Sequence, residues 1–141
     1  MPRTGARGTG LARARAPVCP GPVLDELVVA ALADQLAPLS AYTLVERVRE
    51  RGQHCHVMAV YRSLDRLCAR DLVERVESLS SYRLRTAAGA VLMVCAQCGA
   101  ATALPIADQH AQLWASVTAT GFTIRKLVIE AVGLCRDCGA G

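Results

Sequence analysis

Hydrophobic residues recur along this chain with two different periods, and the change of period marks its elements. From Val23 to Leu36 the residues Leu24, Leu27, Val28, Ala31 and Leu32 share one face at about 100° per position, which predicts a first helix ended by Pro38. Ser40 is placed to cap a second helix, "AYTLVERVRERG", with Leu39 stapling onto Leu44, and this helix stops near Gly52. A third, "VMAVYRSLDRLCARD", gathers Val57, Val60, Leu64 and Leu67 on one face and turns Arg62 and Arg66 the opposite way, with Tyr61 on the flank. The period then falls to two. "LVERVES" and "SYRLR" alternate apolar and polar residues around a Ser-rich turn, which predicts a β-hairpin. Three short helices followed by a hairpin is the order of a winged helix-turn-helix, in which the third helix enters the DNA major groove and the hairpin touches the backbone.

Residues 86 to 90, "TAAGA", read as a hinge. Beyond them the pattern predicts a strand "VLMVC", a strand "AATAL", a helix from Ile106 to Thr120 and a long strand starting at Phe122. The helix carries Ile106, Leu113, Trp114 and Val117 on one stripe, and Trp114 reads as core or interface packing. The predicted fold class is α/β in the α+β sense: residues 23–85 a winged-helix DNA-binding domain, 86–90 the hinge, and 91–141 a small α/β dimerisation domain. Residues 1–22 are Gly, Ala, Arg and Pro with little else, a composition that predicts a flexible tail.

Charge sharpens the reading of the middle of the chain. The net charge of the 141 residues is +4, and Arg3, Arg7, Arg13 and Arg15 stand in an acid-free start. Tyr42 to Arg85 holds nine Arg against six Asp or Glu, a balance that suits a polyanion partner, although an ordinary arginine-rich surface has the same composition. The last third is neutral, with Arg125, Lys126 and Arg136 against Asp108, Glu130 and Asp137. No apolar run approaches the ~20 residues that cross a bilayer, so a soluble protein with no membrane partner is expected.

The cysteines carry the candidate chemistry. "VCAQCGA" at Val94–Ala100 and "LCRDCGA" at Leu134–Ala140 are near-copies, so Cys95, Cys98, Cys135 and Cys138 form C-x2-C…C-x2-C. Four thiolates match the closed tetrahedral shell of structural zinc, with no position left for water or substrate, and glycine after each second cysteine relieves a tight turn. Such a metal could stabilise a small domain by about 10 kcal/mol. Dithiol redox chemistry and an iron site compete, but a thioredoxin-like motif needs one pair beside a βαβ pattern. Tight pairs within an odd total of seven cysteines point to a reducing cytoplasm. Cys68 reads as core and Cys19 as incidental to the tail. His54, Cys55 and His56 offer three ligand types, but adjacent residues seldom point at one ion. With His110 the only other histidine, no acid, base and nucleophile set emerges, and an enzyme is not expected.

The order of parts, together with "LSAYTLVERVR", "AVYRSLDRLCARDLVERVES" and the two C-x2-C pairs, resembles the ferric uptake regulator family, nearest its zinc uptake regulator branch, over residues 23 to 138. The resemblance implies a homodimeric repressor that recognises an inverted-repeat DNA operator and holds one structural zinc per subunit. It implies that Tyr61 and Arg62 are the DNA-reading pair, with Arg66 one turn on meeting phosphate. The family usually has Thr before the Val-Tyr-Arg triplet, and here the residue is Ala59. The family's leading helix ahead of Val23 is also replaced by the arginine-bearing tail.

A larger departure concerns the second, regulatory metal of the resembling branch. Its ligands are a His in the first wing strand, a Cys at the end of the second, a His before the first C-x2-C strand and a Glu shortly after that motif. The corresponding positions here are Glu74, Arg85, Ala88 and Ala103, and one carboxylate does not hold zinc. The expectation is therefore a degenerate sensor site, no second regulatory metal, and a Glu74–Arg85 pair facing across the wing in its place. Relocated sensing at His54, Cys55, His56 or His110 is the alternative for the signal. A zinc-ribbon interaction module or a thiol-based redox switch are the alternatives for the function.

Overall fold

The computed structural model describes residues 18–140, in the order α1 (Gly21–Ala33), α2 (Ala41–Glu50), α3 (Val57–Ala69), β1 (Val73–Val76), β2 (Ser81–Leu84), β3 (Ala90–Cys95), β4 (Ala101–Pro105), α4 (Ala107–Thr118), β5 (Glu130–Gly133) and α5 (Arg136–Gly139). The first helix starts two residues before the periodicity begins and ends three residues early. Pro20 at the cap position and Pro22 in the first turn pre-set the helical entry. At the other end Leu36 leaves the helix, and its carbonyl accepts the N–H of Ala101 in β4 at 3.2 Å.

The second helix begins as the cap chemistry predicts, with Ser40 Oγ accepting the Thr43 N–H at 3.1 Å. Gly52, just past its end, has φ +77°, a conformation that side chains resist. Leu24, Val28, Leu44, Val48, Val60, Leu64 and Leu67, each at most 2% exposed, close one core between the three helices.

The hairpin β1–β2 follows, joined through a 3-10 turn at Glu77–Leu79 and a left-handed Ser80. Leu39 adds a short third rung to this wing: its N–H donates to Tyr82 O at 2.9 Å and its carbonyl accepts the Tyr82 N–H at 2.8 Å. Three short helices and a wing make the winged-helix arrangement.

The second sheet has the order β4-β3-β5, with β3–β4 antiparallel and β3–β5 parallel. The long strand expected from Phe122 is confined to Glu130–Gly133. The β3–β5 ladder begins at Leu92 and Glu130, and before it Lys126 reaches Glu77 at the wing turn. The buried cluster here is small, consisting of Leu92, Val94, Ala101 and, from the wing, Val76.

The tail expectation holds no ground at its C-terminal end. Residues 1–17 lie outside the described residues, but Cys19 is 5% exposed and belongs to the helical core, and its N–H donates to His54 O. A small apolar thiol packs well there. Gly, Ala and Pro mask such a position because they carry no periodic signal.

Candidate functional site

Four sulfurs converge below the sheet. Cys95 ends β3, Cys98 follows in the turn to β4, Cys135 precedes α5 and Cys138 lies within it. Because β3 and β5 run parallel with Cys95 opposite Gly133, both knuckles leave the same end of the sheet. All four Sγ atoms lie within 4.8 Å of one another, and Cys98 and Cys135 are 3.8 Å apart. Zinc–sulfur bonds of about 2.3 Å in a tetrahedron set sulfurs about 3.8 Å apart, so the cluster fits such an ion.

Backbone amides face the buried sulfur: the N–H groups of Cys98 and Cys135 donate to Cys95 Sγ at 3.5 and 3.3 Å. They hold the Cys95 thiol down to about 6, so it is a ready anionic ligand. The Cys135 sulfur first, then burial and the Cys95 and Cys98 sulfurs, push the Cys138 thiol up to about 12, and a cation at the centre relieves that crowding. Gly99 turns with φ +74°, as a tight knuckle requires, whereas Gly139 sits inside α5 and carries no such demand. The two near-copies therefore differ in backbone.

The outer face of α3 is the second candidate. Arg62 is exposed and makes no ion pair among the described residues. Tyr61 is half-buried, its ring packed against the helical core.

Arg66 makes contacts within the protein. Its Nε and Nη2 donate to Asp25 at 3.1 and 2.6 Å, and Nη2 also reaches Gly21 O at 3.5 Å. Asp25 accepts a further bond from the buried hydroxyl of Ser63 at 2.5 Å, so it ties α1 to α3. Burial pushes the Asp25 carboxyl up, but its Arg66 and Ser63 donors outweigh burial and hold it below its ordinary value. Asp25 lies 41 residues from Arg66, beyond the reach of any helical-face reasoning.

The four hinge positions do not converge as ligands. Glu74 pairs with Arg83, its cross-strand neighbour, at 2.6 Å, and both side chains are largely buried. The expected Glu74–Arg85 pair is thus replaced, and Arg85 instead bonds Asp71 from beyond the end of β2. The connection at residues 77–80 sets Val76 against Ser81 and so puts Arg83 opposite Glu74. Ala88 is exposed, and Ala103 is part of β4, half-buried against the small core. A cleft of about 410 Å³ lies at this hinge, lined among others by Glu74, Arg85, His110, Trp114, Arg125 and Lys126.

The other histidines and cysteines also stay apart. Cys55 is buried with burial raising its thiol, while His54 and His56 are exposed. The His110 ring stacks on Trp114 at 6.3 Å. Among the described residues the four-cysteine group is the one cluster able to hold a metal.

Sequence and structure comparisons place this geometry. The chain is 32% identical over 105 residues to the zinc uptake regulation protein of Escherichia coli K12, a match covering 71% of this chain and 61% of that protein. It is 31% identical over 104 residues to the zinc uptake regulation protein of Mycobacterium tuberculosis, covering 70% of this chain and 78% of that one. The crystal structure of holo XcZur superposes with a TM-score of 0.76 at 30% identity, over 84% of this chain and 85% of that one. The chain belongs to the ferric uptake regulator family, close to its zinc uptake regulators. A zinc uptake regulator complexed with zinc and DNA superposes equally well, with a TM-score of 0.76 at 30% identity over 83% of this chain and 81% of that one. No protein-family model matches the chain. The chain spans about three fifths of the length of the Escherichia coli protein it matches, 61%.

Proposed function

We propose that this protein is a sequence-specific DNA-binding transcription regulator, a cytoplasmic homodimer that acts as a repressor on an inverted-repeat operator. The observation that carries the reading is the free outer face of α3, with Arg62 exposed, in a winged helix whose 30%-identical structural neighbour was solved with zinc and DNA. Arg62 and Tyr61 read bases, and Arg62 has the fork geometry for a bidentate contact to guanine. The bonds that Asp25 accepts from Arg66 Nε and Nη2 weigh against the phosphate contact expected of Arg66, one turn on.

One zinc per subunit fills the Cys95, Cys98, Cys135 and Cys138 cluster and serves as scaffold, since a closed thiolate shell offers no open position. No second regulatory metal is expected at Glu74, Arg85, Ala88 and Ala103, because the two charged positions are spent on Arg83 and Asp71 and the other two carry no ligand atom.

Dimerisation is supported by what the C-terminal unit leaves uncovered. α4 has no buried residue, Leu113 and Trp114 are 42% and 37% exposed, and Val132 on the edge strand β5 is 60% exposed. Exposed apolar residues of this kind on one unit suit a second copy of the same chain.

The test is selection of bound sequences from random duplex DNA by the zinc-loaded protein, followed by Arg62→Ala. Recovery of a two-half-site sequence, with affinity falling by roughly 5- to 150-fold in the variant while the dimer persists, is expected. Recovery of no preferred sequence would reject the reading in favour of a protein-interaction module. Zinc release at low peroxide dose coupled to loss of DNA binding would favour a redox switch.

A further inference from the structure

The two units meet across a hinge that has no metal-ligand set, and the bonds that cross it are few. Val76, the last residue of β1, is fully buried, yet it lies among Leu92, Val94 and Ala101 of the other sheet. Immediately after it, the N–H groups of Glu77 and Ser78 donate to the two carboxylate oxygens of Glu130, at 2.6 and 3.0 Å. Glu130 is the first residue of β5, opposite Leu92 in the ladder. Lys126, four residues earlier, places Nζ 3.0 Å from Glu77 Oε1. The Ala101 N–H to Leu36 carbonyl bond is a further link.

These contacts do different things. Val76 supplies buried area, but one branched side chain among three small or aliphatic neighbours does not fix a rotation. A carboxylate that receives two N–H groups, one on each oxygen, fixes both distance and angle, and such charge-assisted pairs are about twice as strong as neutral ones. The N–H groups at the start of a helical turn have no partner within that turn, so they are available to an outside acceptor. Burial pushes the Glu130 carboxyl up, but the Ser78 and Glu77 donors, with Lys126 nearby, outweigh it and hold the group below its ordinary value, so it is charged across the neutral range.

We propose that Glu130 is a positioning residue for DNA binding, whose carboxylate clasps the wing turn and sets the angle between the winged helix and the C-terminal sheet. The consequence for DNA rests on the regulator reading above, whereas the clasp itself rests on geometry alone. In a dimer the two α3 helices must meet half-sites about 34 Å apart, so the angle at each hinge enters the affinity directly. The clasp needs no ion, and the DNA-competent arrangement is therefore held by the chain itself.

The experiment compares the full, zinc-loaded protein with Glu130→Ala and Glu130→Gln. Glu130→Gln keeps the shape and one accepting oxygen, so it reports even if Glu130→Ala proves too unstable to purify. Amide exchange at Glu77 and Ser78, small-angle scattering of the dimer and affinity for the selected DNA are measured together, with zinc content and oligomeric state as controls. Exchange at those two amides should accelerate roughly 10- to 100-fold in Glu130→Ala, with Glu130→Gln intermediate. The scattering profile should broaden, and DNA affinity should fall by about tenfold or more while zinc content and the dimer are unchanged. Unaltered exchange would overturn the clasp. Faster exchange with unaltered scattering and affinity would overturn its positioning role. If the wild-type protein selects no DNA, the regulator reading fails, and exchange with scattering decides the clasp.

Discussion

The two halves of this molecule are completed by different means. Between α1, α2 and α3 the chain covers its own core, and Val28, Leu44, Val48, Val60 and Leu64 are all 0% exposed. The C-terminal sheet, with α4 beside it, buries four residues together, one of them borrowed from the wing, and leaves Met93, Leu104, Trp114, Phe122, Val132 and Leu134 in contact with solvent. A core that small does not offset the entropy of ordering some fifty residues, and the deficit points outside the chain. A metal at the four cysteines and a second subunit on the apolar face are the two contributions the geometry invites. The difference teaches that the helical unit is closed by its own chain, whereas the C-terminal unit is conditional on what completes it.

Removing the metal should break this comparison most severely. Chelation of the zinc-loaded protein should abolish amide protection throughout β3, β4 and β5, an effect on the order of 10 kcal/mol as in other small zinc domains, while the three-helix core keeps most of its protection. An unchanged melting profile after chelation, with zinc loss verified, would sink the scaffold role of the cysteines.

Leu64→Ala attacks the other half. Leu64 is 0% exposed at the centre of the helical core, and the cavity left behind should cost about 2–5 kcal/mol. Denaturant unfolding should reveal this as an early transition of the helices, with zinc retained by the cysteines until a later one. Simultaneous loss of both halves would mean that Val76 and Glu130 couple them into a single cooperative unit.

How much of this was legible in the sequence divides along the same line. The three helices and the wing follow from periodicity, because their signals are local. The cysteine cluster follows from its spacing, since four ligands in two tight pairs leave few geometric alternatives. Partners separated by tens of residues leave no local trace: nothing beside Arg66 announces Asp25, and the burial of Cys19 depends on a fold that closes later. The sequence places the partner of Glu74 on the correct face but two residues out of register, at Arg85 instead of Arg83. Alternation identifies the face, whereas the left-handed Ser80 and the turn before it identify the partner. In the sequence Glu130 is one charge in a neutral third, because its acceptor role depends on a backbone turn 52 residues away.

Val132→Asp sharpens the conditional side of the comparison. Val132 is 60% exposed on the edge strand β5, where a second copy would bury it. A buried carboxylate without a partner there should weaken the dimer roughly 10- to 100-fold by sedimentation, with zinc binding intact. An unchanged association constant would place the dimer surface elsewhere.

The smallest effect concerns the helical half and separates support from recognition within one helix. Ser63 and Arg66 both bond Asp25, so Ser63→Ala leaves the carboxylate with the two arginine donors and should cost about 1 kcal/mol of stability. Arg66→Ala should also lower the melting midpoint, because Asp25 is then left half-buried against one hydroxyl. Neither substitution should change which DNA sequence is selected, and the salt slope of binding should stay that of the wild type as long as Arg66 keeps its Asp25 partner. Arg62→Ala should do the reverse, altering selection without moving the midpoint. A reduced salt slope in Arg66→Ala, of about one unit, would mean that Arg66 leaves Asp25 when DNA arrives, and α3 would then present two arginines to the groove instead of one.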